Sequence, residues 1–276
     1  MRVGVPVEQV LAPVPGGTGR YARELAVALA AEEPADGEVT GWTAWHRDSG
    51  PARVAGVRGP RRLPLPRRAL VAAWERGRGP GIRADVVHAP TPLAPPRRRT
   101  PVVVTVHDAV PWTHPETLTP RGVAWHRRAI GTAAREADRI VVPTHAVAAE
   151  LAAHIDGIGA KITVLGEGSP AVLARQPPDA DRRAGRLGLP EHYLLSLATL
   201  EPRKGLDVLL EALADPAAPT LVVPRDDPPA LAAALSRTGD PMTHDRMIKA
   251  GRARADDYSW SATAGELWKL YSDLAT

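Results

Sequence analysis

Two glycine-bearing turns and one His-Asp pair hold the residue types from which a reaction centre could be built. Gly16-Gly17-Thr18-Gly19-Arg20-Tyr21 opens an apolar helical stretch. Glycines let the backbone approach an anion closely, and a helix start offers unpaired N–H groups with a partial positive charge. No Lys-Ser/Thr pair follows, so the loop is not a Walker-type cradle. The second turn, Glu201-Pro202-Arg203-Lys204-Gly205, follows the apolar run Tyr193-Leu194-Leu195-Ser196-Leu197. There a guanidinium would grip phosphate with paired donors, while an ammonium serves as a point charge. Facing one cleft, Gly16, Gly17, Arg203 and Lys204 would suit a diphosphate-linked donor. Taken singly, each turn has the composition of a plain structural turn as well. His107-Asp108 ends the run Val102-Val103-Val104-Thr105-Val106. A His so placed can hydrogen-bond a sugar or a developing charge, with Asp108 orienting it. A structural pair capping a loop is the competing reading.

The elements that must position these groups alternate in type. Residues 2–7 read as a strand, and 19–31 as a helix with Tyr21, Leu25, Ala28 and Leu29 on one face. Further strands are expected at 39–45 and 53–57, then a Pro/Arg-rich excursion over 59–68 and a short helix at 69–75. Residues 85–88 and 101–106 are compact apolar runs suited to buried parallel strands. A helix at 121–137, a strand at 139–142, a helix at 144–154 and a strand at 161–165 complete a doubly wound α/β pattern. Gly, Pro, Asp and Arg dominate 166–190, which reads as a linker. Beyond it come a strand at 193–198, a helix at 206–213, a strand at 220–223 and a helix at 229–235. A closing helical region in two pieces spans 243–274. The expected domains are therefore 1–165 and 191–276, joined by 166–190.

Composition bounds the function. The 276 residues are 44% apolar, enough for a buried core, with no Cys and no Phe. Disulfides and thiolate metal sites are excluded. Asp179-Ala180-Asp181 lies in the Pro-rich linker and reads as solvated loop. His126, His154, His192 and His244 lack ligand spacing, so no metal is expected. Trp260 and Trp268 read as core or docking residues. The N-terminal apolar run is too short for a signal-peptide core, and no run reaches the ~20 apolar residues of a membrane span. The expected location is the cytoplasm, with peripheral contact at the inner face of the membrane. The net charge of +4 is carried by arginine clusters such as Arg61-Arg62, Arg67-Arg68, Arg97-Arg98-Arg99 and Arg127-Arg128. No aromatic interleaving accompanies them, and nucleic acid is not an expected partner.

The order of motifs resembles the GT-B fold glycosyltransferases of family 4. The residues that carry the likeness are Gly16-Gly17-x-Gly19, His107-Asp108, and Ser196-Leu197-Ala198-Thr199-Leu200-Glu201-Pro202-Arg203-Lys204-Gly205-Leu206. Pro224-Arg225-Asp226-Asp227-Pro228-Pro229-Ala230-Leu231 and Tyr258-Ser259-Trp260-Ser261-x-Thr263-Ala264 extend it towards the end of the chain. His88-Ala89-Pro90 and Thr144-His145 also resemble family strand-end positions and are expected to line the cleft. The resemblance implies an α/β, GT-B-like chain with a Rossmann-like N-terminal, acceptor-side domain and a truncated Rossmann-like C-terminal, donor-side domain. Its last helix should return to the first domain. It implies a retaining transfer of a hexose, mannose first, from GDP-mannose or a UDP-sugar to a glycan or lipid-linked acceptor. The nucleotide-sugar is a substrate, and no cofactor is implied. His107 and Asp108 would be catalytic; Gly16, Gly17, Arg203 and Lys204 would bind the donor diphosphate. The family's acidic signature, Glu-Gly-Phe-Gly-Leu-Pro with a second Glu, is absent between Leu213 and Leu221. Two other readings stand beside this one: a non-catalytic remnant that binds a partner, and an anionic-surface binder.

Overall fold

The computed structural model describes residues 1–170, 176–190, 195–196, 204–213 and 240–276. Valine-rich segments form a seven-stranded, wholly parallel sheet: β1 (Arg2–Pro6), β2 (Glu38–Trp45), β3 (Arg58–Pro66), β4 (Val86–Ala89), β5 (Val102–Thr105), β6 (Arg139–Val142) and β7 (Ile162–Val164). Their spatial order is β3-β2-β1-β4-β5-β6-β7. The winding direction reverses between β1 and β4, where Val3 pairs with Val39 on one side and Val86 on the other. In such sheets the crevice beyond the strand C-termini at this reversal is where ligands bind.

Both faces of the sheet are covered, as period-two alternation requires. Val103 and Val141 pack with α1 (Gly16–Ala31), while Val102, Val104, Ile140 and Val142 pack on the other face. That second face is closed by α4 (Pro120–Glu136) and α5 (His145–His154), through Ile130, Ala133 and Leu151. Thr119 and Thr144 cap these two helices by accepting from Gly122 N and Val147 N, each at 3.1 Å. Trp42, Leu63, Leu70 and Trp74 form a third cluster under α2 (Arg67–Trp74). A four-residue helix, α3 (Val110–Thr113), follows the loop after β5.

Two expectations are corrected. The strand placed at 53–57 lies instead at β3, inside the supposed Pro/Arg-rich excursion. An edge strand needs no donors on its open side, so Pro60, Pro64 and Pro66 are tolerated there, and Leu63 supplies the buried contact. The supposed linker contains α6 (Ala180–Leu187), which Asp179 anchors through Arg182 and Arg183, both at 2.8 Å. Gly188, at φ +62, ends it in the left-handed conformation.

The chain divides into two compact units, Met1–Pro170 with Tyr258–Thr276, and Ala171–Asp257. In the second unit the described helices are α6, α7 (Leu206–Leu213) and α8 (Pro241–Asp256). The strand expected at 220–223 and the helix at 229–235 lie outside the described residues. Of the strand expected at 193–198 only Leu195 and Ser196 are described, both exposed. In the first unit α9 (Trp260–Ala275) packs on α1. Ala264, Leu267, Trp268 and Tyr271 are buried there, and Trp268 Nε1 donates to Leu29 O at 3.0 Å. Each fully buried aliphatic or aromatic side chain is worth about 1.5–3 kcal/mol, so α9 is an integral part of the sheet's cover.

Candidate functional site

The loops leaving β1, β4, β5 and β7 emerge at the same end of the parallel sheet. His107 stands at the end of the β5 run and is largely buried, with 18% of its side chain exposed. Its Nε2 lies 2.9 Å from Pro90 O after β4, and its Nδ1 lies 2.9 Å from Glu167 Oε1 after β7. A carbonyl and a carboxylate are both acceptors. The ring satisfies the two together with hydrogen on each nitrogen, the imidazolium form paired to Glu167, or with the extra proton resting on Glu167. Asp108, by contrast, accepts from Val110 N at 3.1 Å and is exposed. The orienting contact expected of Asp108 is made by Glu167.

Gly16 and Gly17 are the first residues of α1 and are exposed; Gly16 has φ +61. Pro15 precedes them, and the leading N–H groups of the helix have no side-chain cap. Tyr21 follows Gly17 by four residues and therefore lies on the same side of the helix. The Tyr21 ring meets His107 edge-on, with centroids 4.5 Å apart. One side of α1 thus joins the glycine turn to His107. Lys204 is exposed just before α7, where Gly205 has φ +62. Arg203 lies outside the described residues.

Beneath His107 runs a buried polar chain. Tyr271 hydroxyl is hydrogen-bonded to His88 Nδ1, His88 Nε2 to Thr105 Oγ1 at 2.7 Å, and Thr105 Oγ1 to Tyr21 hydroxyl at 3.1 Å. His88 is completely buried, so it does not line the cleft as its strand-end position suggested. Burial, and secondarily the neighbouring His107 charge, lowers its pKa to about 3. The Tyr21 hydroxyl is pushed well up by burial, against the Thr105 hydrogen bond and with Glu167 adding to the rise. Burial, then Tyr21, raises Tyr271 likewise. At neutral pH the chain is uncharged, and the imidazole donates at one nitrogen and accepts at the other. It ties α1, β4, β5 and α9 together under the site.

Sequence reasoning missed Glu167, Thr105 and Tyr271 as site-supporting groups and read Tyr21 only as apolar face. The available signal was polarity inside apolar runs: a Thr closing β5 and a His inside β4. Thr144 caps α5, and His145 is exposed on its first turn. Glu8, buried after β1, accepts from Ala44 N at 2.8 Å and is hydrogen-bonded to His46 Nε2 at 2.9 Å. Among the described residues no three His, Asp or Glu side chains gather as a metal-ion cage.

A family model, Glycosyltransferase Family 4, matches residues 15–168, the span from the glycine turn to just past Glu167. Sucrose-phosphate synthase from Thermosynechococcus elongatus is similar in fold, with a TM-score of 0.71 over 99% of both chains at 18% identity. Anabaena HepE in complex with UDP and glucose superposes with a TM-score of 0.48 at 17% identity, covering 91% of this chain and 66% of that one. No curated protein sequence matches this chain. No described helix is long and apolar enough to cross a membrane.

Proposed function

The chain belongs to Glycosyltransferase Family 4, and from that premise we propose that it transfers a hexose from a nucleotide-diphospho-sugar to a hydroxyl acceptor with retention. Mannose from GDP-mannose is the first candidate donor and a UDP-sugar the second. The observation that carries this reading is His107, fixed between Pro90 O and Glu167 on the side of α1 that begins at Gly16-Gly17. Departure of the nucleoside diphosphate builds negative charge at its phosphate. In the first unit the N–H groups of Gly16 and Gly17 are the groups that would stabilise it; in the second unit Arg203 and Lys204 are the residues proposed to bind diphosphate. His107, held between Glu167 and Pro90 O, would stand beside the reacting sugar, while Asp108 stays at the rim. No resident cofactor or metal enters this reading, so transfer is expected to persist in EDTA.

Calorimetric titration with GDP, UDP and ADP tests the donor site. Micromolar binding of one nucleotide, lost in the Arg203→Ala/Lys204→Ala double variant, would support the reading and name the donor base. The absence of the Glu-Gly-Phe-Gly-Leu-Pro signature favours a second reading, a non-catalytic binding module. Failure of all three nucleotides to bind a cooperatively folded sample would put that reading first.

A further inference from the structure

A cleft of about 810 Å³ opens beside the start of α1, walled by α2, the loop after β4 and the first turns of α4. Gln9 and Thr18 enter it from the β1–α1 side, Arg67 and Arg68 from α2, and Arg121 and His126 from α4. Thr18 directly follows the Gly16-Gly17 turn, so the cleft begins at the helix start proposed above for the donor phosphate. Its charges do not cancel. Glu75, the carboxylate in the lining, accepts the indole N–H of Trp125 and keeps its negative charge, against the three arginines Arg67, Arg68 and Arg121. Arg67 is matched by Glu8, with Nε 3.5 Å from Oε1. Among the described residues Arg68 and Arg121 have no hydrogen-bond or ion-pair partner. His126 commits Nδ1 to Gly122 O at 2.9 Å, leaving Nε2 without a partner.

Cations converging on one concavity repel one another, and a compact dianion relieves that repulsion while taking up their donors. We propose that this cleft binds a phosphoryl group, and that the acceptor hydroxyl is carried by a phosphate ester. The word acceptor rests on the transferase reading; the phosphate site does not. A second cavity of about 380 Å³ shares Glu75, Pro92, Leu93 and Trp125 with the cleft and continues under α4, past Val102, Val104 and Ala129. It offers room for the remainder of the ester, either a sugar ring or the start of a lipid chain.

The test is equilibrium binding without donor. The probes are glucose 6-phosphate, glucose, and phosphatidylcholine vesicles with and without phosphatidic acid. Glucose 6-phosphate or the phosphatidic acid vesicles should bind, and glucose or plain vesicles should not. Arg68→Ala/Arg121→Ala should weaken that binding at least about tenfold, the scale of a lost charge-assisted hydrogen bond. Arg98→Ala/Arg99→Ala, at the opposite strand ends, removes the same charge and should leave binding within about twofold. Preference for glucose 6-phosphate identifies a soluble ester, and preference for vesicles a lipid-borne one. Binding that both variants weaken equally, or that neither weakens, or no binding of either phosphate probe, overturns the proposal. Phosphate binding lost with Arg68 and Arg121 in a chain that turns over no donor would keep the cleft and remove the transferase reading.

Discussion

The His88 ring touches no water, and both of its nitrogens are spent on hydroxyls, which makes its protonation costly in the folded state. The sign follows from linkage. Its folded pKa of about 3 lies below the 6.5 of an exposed His. Between those values the unfolded chain therefore holds the extra proton, and stability falls as the pH drops. The slope from this residue is about 1.4 kcal/mol per pH unit. Urea denaturation from pH 7 to pH 4 should show this steepness in the wild type, and a flatter profile in His88→Gln. Glu167 acts one layer out. Glu167→Gln replaces the carboxylate at the His107 Nδ1 contact with a neutral amide, so kcat should fall by about 10–100-fold, on the scale of general acid–base and charge-positioning effects, with KM for the donor little changed. Nitrogen-15 NMR of the His107 ring should register the same substitution at Nδ1, and an unchanged Nδ1 resonance would sink the pairing. The pairing was not legible in sequence, because Glu167 lies sixty positions from His107 in a stretch that reads as linker.

At the scale of elements, the loop after β7 is held against the start of α9. Thr263 Oγ1 donates to Gly166 O at 2.8 Å, and Ser169 N donates to Tyr258 O at 2.8 Å. Gly168 passes so close to Trp260 that a Cβ there would overlap its Cγ and its backbone nitrogen. Gly168→Ala should therefore displace the loop that carries Glu167. The melting temperature and kcat should fall together, by about 1–3 kcal/mol in stability as overpacked sites do. The helices themselves were legible. Apolar spacing marked α1, and its buried face, Tyr21, Ala22, Leu25, Ala26, Ala28 and Leu29, has the period expected of it. The edge strand β3 was not, because three prolines mask a strand whose outer side needs no donors.

At the scale of the molecule, the first unit is discontinuous in sequence: Tyr258–Thr276 completes a body otherwise made of Met1–Pro170. Ending the chain after Asp257 would uncover Leu25 and Leu29 and remove the hydroxyl that serves His88. Loss of Leu267, Trp268 and Tyr271 together costs about 8–15 kcal/mol, comparable to the whole ~5–15 kcal/mol by which a domain is stable. The truncated chain should show no cooperative thermal transition, and full-length Trp268→Ala should lose about 3–5 kcal/mol. By itself the sequence determined the α/β class, the parallel sheet, the family and the strand-end position of His107. Each of these is written in local periodicity or in a contiguous motif. Only the tertiary structure decided that Glu167 rather than Asp108 holds His107, and that a buried chain from Tyr271 to Tyr21 supports it. It likewise brought Arg68 and Arg121 to one cleft. Those relations join residues from 17 to 183 positions apart, and no local pattern encodes which distant side chains a fold brings within hydrogen-bond reach.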